Sequence, residues 1–157
     1  MAGLEILGAR TGTVAEDGEL RAVGELFASG GAAGHFLAFA QPGIYGSLSL
    51  DANGIWAYEL SNGLAAVQAL GAGVEVRDTF LATWESAGAP GNYVFAPLEI
   101  VVRGANDPAR FEGSMHQVLD ASVSGAAGGR IDVRDADTGG KEMQPLSSVV
   151  GNAGTFS

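Results

Sequence analysis

The stretch that decides the fold of this chain is Tyr45-Gly46-Ser47-Leu48-Ser49-Leu50-Asp51-Ala52-Asn53-Gly54-Ile55-Trp56-Ala57-Tyr58-Glu59-Leu60. Large apolar residues alternate with small or polar ones on both sides of residues 51–54. A period of two is typical of β-strands with one buried face. Residues 51–54 contain Asp, Asn and Gly, which favour tight turns. The stretch therefore predicts two antiparallel strands joined by a short turn.

The same alternation appears in residues 74–80 and 98–102, while only residues 64–70 predict a helix, one too short to form a layer. Short strands separated by turn residues, without crossover helices, predict an all-β fold: an antiparallel Greek-key sandwich of the immunoglobulin- or cadherin-like kind. The predicted core consists of residues on the inward faces of these strands: Leu48, Leu50, Trp56, Tyr58, Leu60, Phe80, Ile100 and Val102.

Composition limits the classes of function. Of 157 residues, 46% are hydrophobic and 17% charged, which is enough apolar material for a packed core. Eight basic residues against eighteen acidic ones give a net charge of −10, which excludes nucleic acid and anionic membrane surfaces as main partners. No apolar run is long enough for membrane insertion. The absence of cysteine excludes disulfides and thiolate zinc sites.

A weak internal repeat divides the chain. Residues 24–28 align with residues 129–133, and residues 41–49 with residues 144–157, at offsets of 103 to 108 residues. An offset of this size matches one sandwich domain of about 100 residues. We therefore predict one complete unit over residues 1–108 and the first part of a second unit over residues 109–157.

Several segments carry a family resemblance. They are Gly12-Thr13-Val14-Ala15-Glu16-Asp17-Gly18, residues 43–58, 65–73 and 78–80, and Gly104-Ala105-Asn106-Asp107-Pro108, with a second partial match over residues 129–157. In order and spacing these segments resemble the VCBS repeats of large bacterial surface and secreted proteins, a group similar to bacterial cadherin-like repeats. The resemblance implies a tandem structural or adhesion module, of the kind found in adhesins and RTX-type secreted proteins, with neighbouring repeats of the same polypeptide as its partners.

The resemblance further implies a secreted or cell-surface location and a protein or glycan partner there. Residues 1–5 lack the basic flank and apolar run of a signal peptide, so we expect an exported protein to carry this chain within a longer polypeptide. The expected mechanism is mechanical: rigid sandwiches joined by short linkers act as a stalk or adhesive spacer.

The resemblance also implies calcium at the junction between units. Calcium takes about six to eight oxygen ligands. The implied ligands are Glu16 from the base of the first unit, Asn106 and Asp107 from the linker, and Asp135 and Asp137 from the second unit. The alternative is that these residues serve only in turns, where Asp and Asn side chains bond to their own backbone.

The first unit departs from the family pattern. Gly30 and Ala32 occupy the positions that correspond to Asp135 and Asp137 in the second unit. Ser61 and Asn62 replace the family's acidic residue after the hairpin. We therefore expect the upstream end of the first unit to lack metal ligands.

No arrangement of residues predicts an enzyme. The only histidines are His35, expected to alternate with Leu37 and Phe39 in one strand, and His116. No G-x-S-x-G nucleophile turn and no H-E-x-x-H metal motif occurs. The alternative function is a carbohydrate-binding module that stacks sugars on aromatic side chains. Its candidate residues are Trp56, Tyr58, Phe80 and Trp84.

The second unit is too short for a complete sandwich. Its predicted strands lie at residues 130–133 and 155–157, and they lack the partners that would complete their sheets. Open edges with apolar faces associate readily. We therefore expect this segment to pair with the edge of the first unit or to form a homodimer by strand exchange.

Overall fold

The computed structural model describes residues 3–113, 128–137, 149–150 and 155–156. The chain divides into two compact units, Met1–Asn106 (unit one) and Asp107–Ser157 (unit two). Nearly all regular structure in the described residues is β-strand. No helix among them is long or apolar enough to cross a membrane.

Unit one contains nine strands and a single short helix within its described residues. The strands are β1 (Ile6–Gly8), β2 (Thr11–Ala15), β3 (Arg21–Ala28), β4 (Gly34–Phe36), β5 (Phe39–Pro42), β6 (Gly46–Leu50), β7 (Ile55–Leu60), β8 (Glu75–Ser86) and β9 (Tyr93–Arg103). The helix, α1, spans Ala65–Gln68, and a 3-10 turn spans Ser29–Gly31.

These strands form two sheets. The five-stranded sheet has the order β1-β3-β7-β6-β5, and the four-stranded sheet has the order β2-β9-β8-β4. Buried residues from both sheets make one hydrophobic cluster, so the sheets pack on each other as a sandwich. The predicted all-β class is confirmed.

The predicted hairpin is present as β6 and β7. Leu48 lies opposite Tyr58 and Leu50 opposite Trp56, and all four are buried. A carboxylate oxygen of Asp51 accepts the N–H groups of Asn53 and Ile55, each at 2.9 Å, which closes the turn. The remaining members of the predicted core are buried as well: Leu60, Phe80, Ile100 and Val102.

Trp56 is the largest of the fully buried side chains in this core. It is 1% exposed, and its indole N–H donates to the carbonyl oxygen of Ala9 at 2.7 Å. A β-carbon added at Gly12 or Gly24 would lie 2.7 or 2.5 Å from the ring. Glycine at these two positions therefore makes room for the indole.

Not every pair of strands is antiparallel. β1 and β2 form one extended segment that leaves the five-stranded sheet after Gly8, a residue with φ of 102°, and joins the four-stranded sheet. There β2 pairs in parallel with β9, so that Thr11 lies opposite Glu99 and Ala15 opposite Arg103. The other strand pairs of the described residues are antiparallel.

The expectation of one strand through His35, Leu37 and Phe39 is wrong. β4 ends at Phe36 in the four-stranded sheet, and β5 begins at Phe39 in the five-stranded sheet. Phe36 is buried and Leu37 is 37% exposed, the reverse of the expected alternation. Because the chain changes sheets here, the two short strands do not share one alternating face.

Unit two contains two strand pairs within its described residues. β10 (Arg110–Gly113) pairs antiparallel with β11 (Ile131–Arg134), and β12 (Val149–Val150) pairs antiparallel with β13 (Thr155–Phe156). The strands expected at residues 130–133 and 155–157 correspond to β11 and β13. His116 lies outside the described residues. Pairing with unit one and strand exchange both stay predictions.

The confinement of Trp56 predicts a large loss of stability on truncation. Trp56→Ala leaves a cavity between the sheets, and we expect it to lower the free energy of unfolding by about 3–5 kcal/mol. Its neighbour Ile55 is 54% exposed, so Ile55→Ala serves as the matched control and should cost less than about 1 kcal/mol. Chemical denaturation measures both, and equal losses would contradict the assignment.

Candidate functional site

Three of the five residues that the sequence suggests as calcium ligands lie together in unit two. One carboxylate oxygen of Asp137, Oδ2, accepts the backbone N–H of Asp107 at 2.9 Å. The Asp137 backbone N–H in turn donates to Oδ1 of Asp135 at 2.9 Å. The bond from residue 135 to residue 137 is a local Asx-type turn, as the turn alternative expected.

Asp137 is the residue of this group with the most constrained side chain. It is 6% exposed, and its second oxygen, Oδ1, is buried and accepts no hydrogen bond from the residues that the structure describes. A buried carboxylate oxygen is costly to leave without a donor or a cation. The chemistry of this group suits a hard cation such as calcium.

The other two suggested ligands, Glu16 and Asn106, belong to unit one. Glu16 is 3% exposed, and its carboxylate accepts the Gln68 side-chain amide at 2.9 Å and the Ala105 backbone N–H at 3.0 Å. Through these contacts Glu16 links α1 to the segment where the chain leaves the sandwich. Asn106, which follows Ala105 in this segment, is exposed.

The described residues do not form a complete set of ligands around a metal ion. Within the described ranges, no three His, Asp or Glu side chains are grouped so that they could hold a metal ion. The hydrogen bonds among Asp107, Asp135 and Asp137 run from backbone N–H groups to carboxylate oxygens. At the corresponding positions of unit one, Gly30 and Ala32 follow β3 and supply no carboxylate.

A buried carboxylate that is not among the predicted metal ligands, Asp78 of the segment 78–80, lies in the core of unit one. Asp78 is 2% exposed and accepts three hydrogen bonds. The donors are the backbone N–H of Ile44 at 2.7 Å, the backbone N–H of Tyr45 at 3.0 Å, and the Tyr58 hydroxyl at 2.7 Å. Asp78 therefore fixes the loop before β6 to the opposite sheet.

The position of Asp78 in the sequence indicates that its side chain faces the core. It lies at even spacing between Val76 and Phe80, on the face of β8 that packs into the core. An acidic residue at an inward position requires several hydrogen-bond donors to offset the cost of burial. Gly43 accommodates it, because a β-carbon there would lie 2.4 Å from the carboxylate. A side chain so fully enclosed stabilises the fold and does not reach a substrate.

The aromatic residues considered for sugar stacking lie inside the protein. Their exposed fractions are 1% for Trp56, 0% for Tyr58, 5% for Phe80 and 3% for Trp84. The alternative in which these four residues form a sugar-stacking surface is therefore contradicted, because Trp56 and Tyr58 alternate with Leu60 into the predicted core. Exposed aromatic side chains among the described residues include Phe27, Tyr93, Phe95 and Phe111.

His35, the histidine in unit one, lies on the exposed edge strand β4. Its Nε2 atom is 3.8 Å from a carboxylate oxygen of Glu85 on the neighbouring strand β8. At this distance and exposure the pair makes at most a weak surface contact.

Comparison with known proteins adds no family assignment. No model of a known protein family matches the chain, and no curated protein matches it significantly. The resemblance to VCBS repeats therefore depends on the motifs in the sequence itself.

The Tyr58–Asp78 contact predicts a difference at alkaline pH. Burial, and then the hydrogen bond to Asp78, raises the pKa of Tyr58 well above its ordinary value of about 10. The folded state keeps the phenolic proton while the unfolded state loses it, so this contribution to stability is complete below about pH 10 and falls as the pH rises further. Tyr58→Phe should remove this dependence.

At neutral pH, Tyr58→Phe should itself cost about 1–3 kcal/mol, because a donor to the buried Asp78 is lost. Tyr93→Phe is the control, since Tyr93 is 44% exposed. Urea denaturation between about pH 8 and pH 11 gives the free energy of unfolding of each protein. Parallel curves for the wild type and Tyr58→Phe above pH 10 would show that Tyr58 does not control the alkaline loss.

Proposed function

We propose that this chain is a non-enzymatic structural or adhesion module of a large secreted or surface-attached protein, in which unit one acts as a load-bearing spacer between neighbouring repeats. The observation that carries the proposal is the parallel pairing of β2 with β9. The strand where the chain enters the four-stranded sheet and the strand where it leaves unit one run side by side in the same direction.

This pairing places the two connections of unit one at opposite ends. β9 has eleven residues, which span about 35 Å at the rise of an extended strand. The chain enters through β1, which lies near the start of β9, and it leaves after Arg103 at the end of β9. A chain held at both connections is therefore pulled along the strand direction, as in modules joined end to end.

Tension then loads the hydrogen bonds between β2 and β9 in shear. The flanking bonds run from Glu99 N–H to the carbonyl of Arg10 at 2.9 Å and from Glu16 N–H to the carbonyl of Arg103 at 2.8 Å. Because these bonds stretch together and not one after another, the pair resists extension. This resistance is the property that a stalk or adhesive spacer requires.

The backbone alternation identifies which residues of β2 hold this pair together. Ala15 donates its N–H to Glu19, away from β9, and Glu16 donates toward β9. Since successive residues of a strand point in opposite directions, the N–H of Val14 points toward β9 and that of Thr13 points away.

Two proline variants test the load-bearing role. Val14→Pro removes a hydrogen bond to β9 and should lower the force at which unit one unfolds when the full chain is stretched by its ends. Thr13→Pro removes an outward N–H on an edge strand and should leave that force nearly unchanged. Val14→Ala keeps the N–H and accounts for the lost core volume. Equal forces for the two proline variants in single-molecule stretching would refute the shear mechanism.

Calcium is the proposed cofactor of this module. Asp107, Asp135 and Asp137 would supply carboxylate oxygens, and the buried Oδ1 of Asp137 supports this choice. The cation would neutralise these acids and hold the first residue of unit two against the turn at residues 135–137, stiffening the start of that unit. The net charge of −10 opposes binding to nucleic acid.

Calorimetric titration of the full chain tests the cation. We expect calcium to bind with a Kd of about 0.1–1 mM, in the range of extracellular modules, and magnesium to bind more weakly because its octahedral geometry is stricter. Asp137→Asn should abolish the calcium signal. Asp132→Asn, which removes an exposed carboxylate paired with Arg130, should not. Absence of calcium heat at several millimolar in the wild type would reject the proposal.

A further inference from the structure

The four-stranded sheet has an open segment along β9. β2 covers only residues Glu99–Arg103 of that strand. Tyr93–Leu98 form the first half of β9 and pair with β8 on one side, but no strand of the described residues pairs with them on the other. The gap exists because the segment that would continue β2 crosses to the other sheet, where it forms β1.

The backbone groups at this gap point outward in a definite pattern. Glu99 donates its N–H toward the side of β2, and Asn92 accepts a bond on the side of β8. Because directions alternate along a strand, Tyr93, Phe95 and Pro97 present their backbone polar groups to the open side. Proline has no N–H, so the open edge offers two donors and three acceptors.

A groove of about 380 Å³ lies beside this edge, between β1 and β9. Its apolar lining includes Leu4 and Ile6 on one side and Val94 and Ala96 on the other. A strand added at the edge would direct alternate side chains into this groove. Its other side chains would lie beside Tyr93 and Phe95, whose ring centroids are 6.3 Å apart and which are 44% and 57% exposed.

Two charged residues, Glu5 and Arg10, line the groove, and only Arg10 lies at the end where β2 begins. Arg21, Arg77 and Arg103 of unit one pair with Glu59, Glu99 and Glu75. Arg10 also lines the groove and forms no ion pair with the residues that the structure describes. It lies at the end of the open edge where β2 begins. A carboxylate on the added strand would therefore find a cation at that end.

We propose that the open edge of β9 binds an extended segment of a partner protein as an added strand, with apolar side chains in the groove and a carboxylate at Arg10. Main-chain hydrogen bonds to Tyr93, Phe95 and Pro97 supply affinity, and the groove and Arg10 supply specificity. A second copy of this chain, which strand exchange would supply, is the other occupant that the test below distinguishes. This inference goes beyond a spacer role, since it assigns a contact surface to unit one.

Residue-resolved hydrogen exchange by NMR on the full chain tests the edge directly. In the free protein the amides of Tyr93 and Phe95 should exchange fast, and those of Val94 and Ala96, bonded to β8, should exchange slowly. The probe is a short synthetic peptide of alternating valine and threonine, with aspartate at one end or the other. Binding should slow exchange at Tyr93 and Phe95 and leave Val94 and Ala96 unchanged.

Charge-reversal variants distinguish binding at this site from nonspecific association of the peptide. Arg10→Glu should weaken binding of the aspartate peptide by about fivefold. The same variant should strengthen binding of a peptide in which lysine replaces the aspartate. Arg21→Glu, which makes the same change on the five-stranded sheet, should alter neither. Slow exchange at Phe95 in the free monomer, protection that appears on dimerisation without peptide, or equal effects of the two variants would each overturn the proposal.

Discussion

The position of the Trp56 indole is the constraint on which the rest of unit one depends. The ring belongs to the five-stranded sheet, yet it lies against Gly12 of the four-stranded sheet and bonds to Ala9 in the crossover between them. One side chain therefore fixes both the approach of the sheets and the point at which the first strand changes sheets. Gly24 on the adjacent strand β3 has no side chain because the same ring occupies that space.

The crossover has two structural results. It brings β2 alongside β9 in parallel, which aligns the two connections of the module with the strand direction. It also leaves the first half of β9 without a neighbour, which opens the groove next to Arg10. The proposed load path and the proposed contact surface thus have one origin, the turn at Gly8–Arg10, and the indole bond to Ala9 stabilises that turn.

The sequence was most informative where a pattern is local. The hairpin, its turn and the inward faces of β6, β7 and β9 follow from alternation and turn residues over short stretches, and the structure agrees. Alternation does not say which strand a segment pairs with, so the parallel pair of β2 and β9 and the change of sheet after Phe36 were not predicted. The burial of Asp78 was not predicted because its donors, Ile44 and Tyr45, are far from it in sequence. The grouping of Asp107 with Asp137 likewise depends on contacts across 30 residues.

Pro97 limits edge-to-edge association between copies of unit one in the proposed tandem array. Repeats in one polypeptide are held at high local concentration, where an open strand edge invites sheets from neighbouring modules to merge and misfold. At Pro97 the open edge lacks an N–H donor, so a hydrogen-bonded ladder along this edge is interrupted after the donors of Tyr93 and Phe95. Two modules therefore cannot pair along the whole of β9. The proposed recognition by Tyr93 and Phe95 needs only the donors before Pro97, so it is compatible with this limit on edge-to-edge pairing.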